Sequence, residues 1–430
     1  MSAGALSLAL TVALASQGTH LSGQITARNQ ARVGLIETLG GQSSKSLALS
    51  EIALPSAEGR LKFGDTQDLF LRYRPQLLNT YRHNLPWAAN NPGRWAGWTT
   101  LQRVLLTYKV GEEHDLEFFG QANLSAGKLD TGNPDALVTE SGFLPGALGQ
   151  TVSYLNASAI LQLRKRFGRN IRLLSVETLG IIQYQISGGN GYFSQMPETG
   201  GGNTVGEQSQ LRLIAHQELE YVFNARHSAF VGLDYSDVSY QQTASFPGVS
   251  PTLGYGFRGA GPSQLKVRAG LIRYWTNPFP GIWEKPGTLP VADLTLSYTF
   301  TRWRLPKLRG NALVGIAPYY NLMFSSLEPR TTVLGQLTYS VSRSFDVLTT
   351  FRFLSSRYFN GKRFVPLQHG HPRNIVMGSA GLRYHWKTYL QVDLTGYATA
   401  QTYEPSTTQG YTTLRQFYAL LGLQGSWQRR

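Results

Sequence analysis

Three titratable side chains, His216, Glu218 and Glu220, alternate along the segment SQLRLIAHQELEYVF. Successive side chains of a β-strand point to opposite faces, so in a strand these three share one face. An imidazole beside carboxylates can carry out general acid–base catalysis, and Asp234 could join from the next strand. No nucleophile or metal-ligand pattern accompanies them, and an imidazole beside Arg212 and carboxylates is more often part of an ion-pair network. We therefore expect no enzyme activity.

Other candidate sites have equally simple structural explanations. His369 and His371 in QHGHPR could supply two metal ligands, but without a third ligand a solvated loop is the better interpretation. The glycine string ETGGGN lacks the strand-to-helix context of a phosphate-binding loop. Trp87, Trp95 and Trp98 could stack on sugar rings or pack at an interface. We expect neither a metal nor a cofactor.

The segments that carry these residues are long and alternate in polarity. YLQVDLTGYATAQ places Leu390, Val392 and Leu394 on one face and Gln391 and Asp393 on the other. Many such segments recur, at about twice the usual strand length of five or six residues. A tilted strand needs about 9 to 11 residues to cross a bilayer, and lipid tolerates no unpaired strand edge. This predicts an all-β fold, a single closed antiparallel transmembrane β-barrel over residues 20–430.

The predicted barrel has about 18 strands, with 16 as the alternative because segments 21–34 and 251–258 alternate weakly. Charged residues make up only 15% of the 430-residue chain, against roughly 25% in soluble proteins. After the N-terminus no apolar run reaches the roughly 18 residues of a membrane helix. Residues 1–15 resemble a signal peptide ending in Ala13-Leu14-Ala15, although a buried apolar segment is the alternative.

Two classes of connection alternate between the predicted strands. Short ones lie near 64–65, 111–113, 168–170, 224–226, 259–262, 303–309, 343–344 and 386–387. Longer ones lie near 38–46, 82–97, 128–149, 188–207, 243–250, 277–288, 325–329, 359–372 and 404–411. In outer-membrane barrels the short turns face the periplasm and the long loops face outward. Both chain ends are then periplasmic, and no separate plug domain is expected.

Alternation also assigns the charged residues to faces. The predicted lumen-lining residues are Arg72, Arg74, Arg103, Asp115, Glu117, Arg212, His216, Glu218, Glu220, Lys266, Arg268, Asp293, Arg352 and Asp393. Glu177 is assigned to the same face, so the wall is mixed in sign. The predicted periplasmic rim consists of Arg164, Arg166, Arg169, Arg172, Arg304, Lys307 and Arg309.

The net charge of +15 therefore gathers mainly at the short turns. Attraction to anionic phospholipid explains such a rim, at about 1 kcal/mol per basic residue. A docking ring for a periplasmic partner, or a funnel for an anionic polymer, is the functional alternative. Nucleic-acid binding is not expected, because the basic residues form a ring of turns and not a groove.

The last segment, LRQFYALLGLQGSW, places Phe417, Leu421, Leu423 and Trp427 outward. It resembles the C-terminal β-signal by which outer-membrane barrels are recognised for assembly, but Gly425 stands where a second aromatic is usual. The whole chain resembles Gram-negative outer-membrane barrels. The residue patterns of the strand segments ARNQARVG, TQDLFLRYRPQLL and RGNALVGIAPYYNLMF resemble those of barrels from myxobacteria. The chain is also similar in length and predicted strand number to the polysaccharide-export barrels of that group.

This resemblance implies a conduit for polysaccharide export that works with a periplasmic export protein. A general diffusion porin is the alternative, and a barrel hydrolase or an adhesin or receptor are further possibilities. The expected surroundings are outer-membrane lipid and lipopolysaccharide, and the expected assembly partner is the barrel-assembly machinery.

Overall fold

The computed structural model describes residues 19–39, 44–64, 66–83, 94–113, 115–130, 151–186, 207–240, 245–259, 263–275, 288–300, 308–321, 326–356, 372–386, 389–403 and 413–429. In these ranges no helix is long and apolar enough to span a membrane. The predicted signal peptide, His369, His371, ETGGGN, Trp87, Arg304 and Lys307 lie outside the described residues.

Nineteen β-strands make up the described structure. They are β1 (Thr19–Leu39), β2 (Ser44–Phe63), β3 (Gln67–Tyr73), β4 (Gln76–His83), β5 (Arg94–Glu113), β6 (Leu116–Asp130), β7 (Thr151–Phe167), β8 (Ile171–Ile186), β9 (Glu207–Val222), β10 (His227–Tyr240), β11 (Gly248–Arg258), β12 (Gln264–Tyr274), β13 (Thr288–Phe300), β14 (Leu308–Asn321), β15 (Ser326–Ser340), β16 (Phe345–Ser356), β17 (Pro372–Trp386), β18 (Leu390–Tyr403) and β19 (Thr413–Arg429).

The sheet closes on itself because β1 pairs with both β2 and β19. β3 and β4 lie end to end between β2 and β5 and form one barrel strand, interrupted at Arg74 and Pro75. Pro75 has no N–H to donate to a ladder, which accounts for a break at this point. The result is a closed antiparallel barrel of 18 strands, and the predicted fold and strand number are confirmed.

Large apolar side chains cover the outside of the barrel. Val231 lies opposite both Leu219 and Leu253 in the register, and all three are exposed. Leu253 is 67% exposed, an arrangement that would be costly in water. A continuous apolar outer band of this kind is typical of strands that face lipid. In β18, Leu394 belongs to this band, whereas Asp393 points inward and is buried.

The short connections are built from residues with turn chemistry. Gly64 and Gly168 have φ angles of 58° and 65°, the left-handed conformation that glycine adopts at little cost. Between β9 and β10, the Asn224 side-chain oxygen accepts hydrogen bonds from the backbone N–H groups of Arg226 and His227. These local hydrogen bonds fix the hairpin at this end of the barrel.

The strands run further than the alternation predicts, which shifts several connections. β5 continues to Glu113, so the turn predicted at 111–113 lies beyond it. Only residues 40–43 and 322–325 separate their flanking strands, although both connections were predicted among the long loops. The segments predicted as weak, 21–34 and 251–258, are both paired strands. Backbone pairing with two neighbours extends a strand beyond the stretch in which its side chains alternate.

Candidate functional site

Most of the predicted lumen-lining residues lie on the barrel's inward face. They are Arg72, Arg74, Arg103, Glu117, Arg212, His216, Glu218, Glu220, Lys266, Arg268, Asp293, Arg352 and Asp393. Asp115 lies in the turn after β5, with a φ of 62°, and lines a recess together with the inward residues Glu117 and Glu218. Glu177 points outward, laterally paired with Leu161 and Ala215, and corrects the assignment made from alternation. The alternation of β8 is masked by its polar outward residues.

His216, Glu218 and Asp234 form the centre of an ion-pair chain on the inner wall. His216 Nδ1 lies 2.5 Å from Asp234 Oδ1, and its Nε2 lies 3.4 Å from Glu218 Oε2. Lys266 Nζ reaches the same Glu218 oxygen at 2.8 Å. Each carboxylate is thus occupied by a basic group, the arrangement of a wall network and not of a substrate site.

This series of ion pairs continues through Arg268 on β12 to Asp293 on β13. The Arg268 Nε donates to Asp293 Oδ2 at 2.6 Å, and its Nη1 lies 3.4 Å from Asp234 Oδ2. Three basic and three acidic side chains therefore alternate from Lys266 to Asp293. Because their formal charges cancel when His216 is protonated, this side of the lumen carries little net charge.

Glycines on the inward face of β10 to β12 give these side chains room to lie against the wall. A Cβ at Gly254 would stand 1.9 Å from the Phe230 ring, so the ring lies directly over this glycine. The ring in turn supports the Lys266 ammonium, 4.2 Å from its centroid. Similarly, a Cβ at Gly232 would meet the Thr252 hydroxyl at 2.5 Å.

Asp393 is the centre of a second inward network, between β17 and β1. Arg383 Nε donates to Asp393 Oδ1 at 2.8 Å, and Arg28 Nη2 donates to Oδ2 at 3.2 Å. The Gln391 amide also donates to this carboxylate. Arg28 on β1 reaches Asp393 on β18 across β19, where Gly422 is laterally paired with both Asp393 and Gln30. Asp393 is only 2% exposed, so these donors replace its hydration.

In contrast to these two networks of paired charges, a recess of about 520 Å³ on the inner wall between β1 and β7 is lined by basic residues alone among its charged described residues. Four arginines line it: Arg28, Arg72, Arg74 and Arg103. None of the described residues that line it is acidic. We call this site the arginine recess. Its other polar lining residues are Gln30, Gln76, Asn123, Ser125, Tyr154, Asn156 and Tyr397.

The four arginines of the recess are unequally neutralised. Arg28 is paired with Asp393, and Arg72 Nε lies 2.7 Å from Glu58 Oε1. Within the described ranges, Arg74 and Arg103 form no ion pair. The charges that act most on Arg74 are repulsive, from Arg103, Arg28 and Arg72, while Glu58 is the attractive one. The carboxylates of the described residues therefore balance only part of the positive charge of the recess.

Inward-facing apolar side chains form a further level in the lumen. Ile52 and Leu78 are laterally paired, and with Leu101 they are between 1% and 4% exposed. The other members of this inner apolar ring are Tyr154, Ile182, Val238, Ile272, Tyr274, Leu289, Ile375 and Leu420. Buried polar side chains, Gln30, Arg32, Gln210 and Arg330, interrupt it.

The inner apolar ring lies further from the short turns than the charged residues of the same strands. In β5, Leu101 precedes Arg103 and Lys109 on the way to the turn, and in β2, Ile52 precedes Glu58. Side chains that point into a water-filled pore would be exposed, but these are buried. The inner apolar ring is therefore shielded from water. The arginine recess lies immediately on its short-turn side.

The rim at the short turns is exposed and partly neutralised. Arg164 Nη1 lies 3.4 Å from Glu117 Oε2, and Arg172 Nη1 lies 3.5 Å from Glu220 Oε2. Arg169 lies exposed in the turn between β7 and β8. The remaining predicted rim residues that the structure describes, Arg166 and Arg309, are also exposed near short turns. The rim is less basic than its sequence suggests, because acidic residues from neighbouring hairpins face it.

A second recess in the wall formed by β13 to β18 contains few charged residues. It has a volume of about 720 Å³ and is lined by hydroxyl and amide side chains, including Asn311, Gln336 and Thr399. Arg352 is the one charged residue among its described lining residues. Tyr397 lines both recesses and joins this wall to the arginine recess.

Sequence reasoning found the inward charges but missed their segregation and the inner apolar ring. Alternation predicts the face of each inward arginine. It does not predict the carboxylate partners, which lie on other strands, as Asp393 does for Arg28. The ring members alternate with residues such as Gln102 and Glu51, which point outward. Apolar residues at inward positions are visible in the sequence once the face of each strand is fixed.

No model of a known protein family matches the sequence, and no curated protein matches it. The structure is similar to the FrpB iron transporter from Neisseria meningitidis, with 8% identity over 96% of this chain and 82% of that chain, at a TM-score of 0.45. It is also similar to BauA, the ferric preacinetobactin receptor from Acinetobacter baumannii, with 10% identity over 94% and 80% of the two chains, at a TM-score of 0.45.

The copper transporter OprC is 11% identical over 93% of this chain and 80% of that chain, at a TM-score of 0.38. These are likenesses of barrel architecture. The comparisons give no support to the resemblance to myxobacterial polysaccharide-export barrels.

Proposed function

We propose that this chain is a transport conduit of the outer membrane. The observation that carries the proposal is the division of the closed barrel into an apolar outer band and a polar, ion-paired inner wall. Lipid on the outside and solute on the inside account for both faces. A barrel of this strand number encloses a lumen wide enough for solutes once it is not filled by side chains.

The conduit is closed in its resting state. Burial of the inner apolar ring supports this, since Ile52, Leu78 and Leu101 would be wetted in an open pore. Apolar constrictions exclude water and ions until they widen. A general diffusion porin needs a permanently open, hydrated lumen, so the buried ring disfavours that alternative.

The short turns lie on the periplasmic side in this proposal, together with both chain ends. Short periplasmic turns are the rule in outer-membrane barrels. The arginine recess then opens toward the periplasm, because its arginines lie on the short-turn side of the inner apolar ring. A solute that leaves the cell would meet the arginines before it reaches the closed level.

Polysaccharide export with a periplasmic export protein is the finer form of this proposal. The exposed rim supports it, since Arg169 and Arg309 are available to a partner at the short turns. Charge reversal of Arg169 should weaken capture of a periplasmic partner more than charge reversal of Arg164, which Glu117 already neutralises. Equal capture by both variants would argue against docking at this rim.

Solute efflux from proteoliposomes tests the transport function. The wild-type chain should retain an entrapped small solute, whereas an Ile52→Ser, Leu101→Ser double variant should release it because the closed level becomes polar. An Ile52→Val, Leu101→Met variant is the matched control and should stay closed. Retention by the serine variant, with the barrel folded as judged by its heat-modifiable mobility in gels, would contradict the proposal.

A further inference from the structure

We infer that the arginine recess is a binding site for an acidic saccharide, that is, a sugar unit that carries carboxylate or phosphate groups. The inference rests on the proposed function in that the lumen is taken as the path of the solute. Its evidence is the lining of the recess, where positive charge, amide groups and aromatic hydroxyls meet in one cavity.

The charge of the recess calls for an anion. Arg74 and Arg103 have no carboxylate partner in the described part of the chain, and Arg28, Arg72 and Arg103 all repel Arg74. The guanidinium group binds carboxylate and phosphate through two parallel hydrogen bonds, which favours oxyanions over halides. Because the surroundings are partly shielded from water, each such contact is stronger than on an open surface.

The backbone holds these two arginines in place. The N–H of Arg74 donates to the carbonyl oxygen of Arg103 at 2.8 Å, which ties the junction between β3 and β4 to β5. Arg74 lies where Pro75 interrupts the strand, so it is anchored although it is outside the regular ladder. The two guanidinium groups thus start from neighbouring points of a rigid wall, as a site for adjacent acidic groups requires.

The neutral part of the lining suits hydroxyl groups. Side-chain amides of Gln76, Asn123 and Asn156 face the recess, and in the described ranges Asn123 and Asn156 make no side-chain hydrogen bond. An amide offers both a donor and an acceptor, which matches the dual character of a sugar hydroxyl. The ring of Tyr397, which is partly exposed, supplies apolar surface for the face of a sugar ring.

The size of the recess fits a short saccharide. Its volume of about 520 Å³ lies within the 300 to 1,000 Å³ range that is usual for sites of small ligands. The position also suits a step before translocation, since the recess adjoins the inner apolar ring through Ile52 and Leu101. A ligand held there contacts the closed level directly.

Calorimetric titration of the purified full chain in detergent tests the inference. The probes are trigalacturonate as the acidic saccharide, maltotriose as a neutral saccharide and inorganic phosphate as an anion without sugar hydroxyls. Trigalacturonate should bind at least tenfold more tightly than either of the others. An Arg74→Gln, Arg103→Gln double variant should weaken trigalacturonate binding at least tenfold.

Arg343→Gln is the matched control, because it removes a positive charge from an exposed turn far along the chain from the recess. It should leave binding unchanged. Equal binding of maltotriose and trigalacturonate would overturn the anionic part of the inference. Phosphate binding as tight as that of trigalacturonate would overturn the saccharide part, and a double variant that binds like wild type would remove the site from the recess.

The two experiments distinguish failure of the proposed transport function from failure of the binding site. If the serine variant of the inner apolar ring releases solute but trigalacturonate does not bind, the conduit stands and the recess is not its binding site. If trigalacturonate binds and depends on Arg74 and Arg103 but no variant conducts, the site stands and transport fails.

Discussion

The backbone N–H of Arg74 donates to the carbonyl oxygen of Arg103 at 2.8 Å, and both side chains line the same recess of the lumen. Two cationic side chains fixed side by side without a carboxylate partner destabilise a protein unless another interaction compensates. Elsewhere on the wall, Lys266, Arg268 and Arg383 each have a carboxylate partner, as Arg268 has Asp293. This contrast is the basis of the binding function that we propose for the recess.

Asp393 is expected to be essential for stability because it holds Arg28 and Arg383 at the same time. An Asp393→Asn substitution keeps the shape but leaves both guanidinium groups without their counter-charge. We expect the free energy of unfolding to fall by about 3 kcal/mol. Urea unfolding in detergent micelles measures it, with Asp346→Asn as a control that breaks the more exposed pair with His385. Equal losses in the two variants would contradict the account.

Gly254 is expected to be required because the Phe230 ring occupies the space of its missing side chain. In a Gly254→Ala variant, Phe230 must move and Lys266 loses its aromatic support. Overpacking of this kind costs roughly 1–3 kcal/mol. Gly335→Ala is the control, since a Cβ there meets nothing within 4 Å. Thermal unfolding should separate the two variants, and a Gly254→Ala barrel as stable as the control would show that Phe230 does not depend on this glycine.

The outer band is expected to reject charge because it faces lipid. A Leu253→Arg substitution on this band should cost about 2–4 kcal/mol if its site is near the bilayer midplane. Gln336→Arg places the same charge on the inward wall and should cost much less. Folding titrations into lipid vesicles measure both. A larger loss for Gln336→Arg would mean that the two faces of the barrel are assigned the wrong way round.

The barrel itself was predictable because one physical constraint repeats in every strand. Alternation, strand length and the absence of apolar helices all follow from the need to pair each backbone group in lipid. The predicted face was wrong for Glu177, which points outward. Other outward residues of β8 are also polar, so its two faces differ little in polarity. Alternation cannot reveal the partners of inward charges, since Arg28 and Asp393 are far apart in the chain.

Glycines on the inward face determine where some large side chains lie, and the sequence does not predict this. The Phe230 ring lies over Gly254, and the Lys266 ammonium lies over that ring, so the placement of Lys266 depends on this glycine. A glycine in a strand reads only as a weak strand former. Its function as a gap appears when the register places a large side chain beside it.

Single-channel recording in planar bilayers tests most directly the claim that this barrel is a closed conduit with an anion-binding lumen. The wild-type chain should stay at or near zero conductance. The Ile52→Ser, Leu101→Ser variant should open to a current that favours anions, and adding Arg74→Gln and Arg103→Gln should reduce that preference. A large, steady wild-type conductance, or a cation preference in the opened variant, would contradict the account.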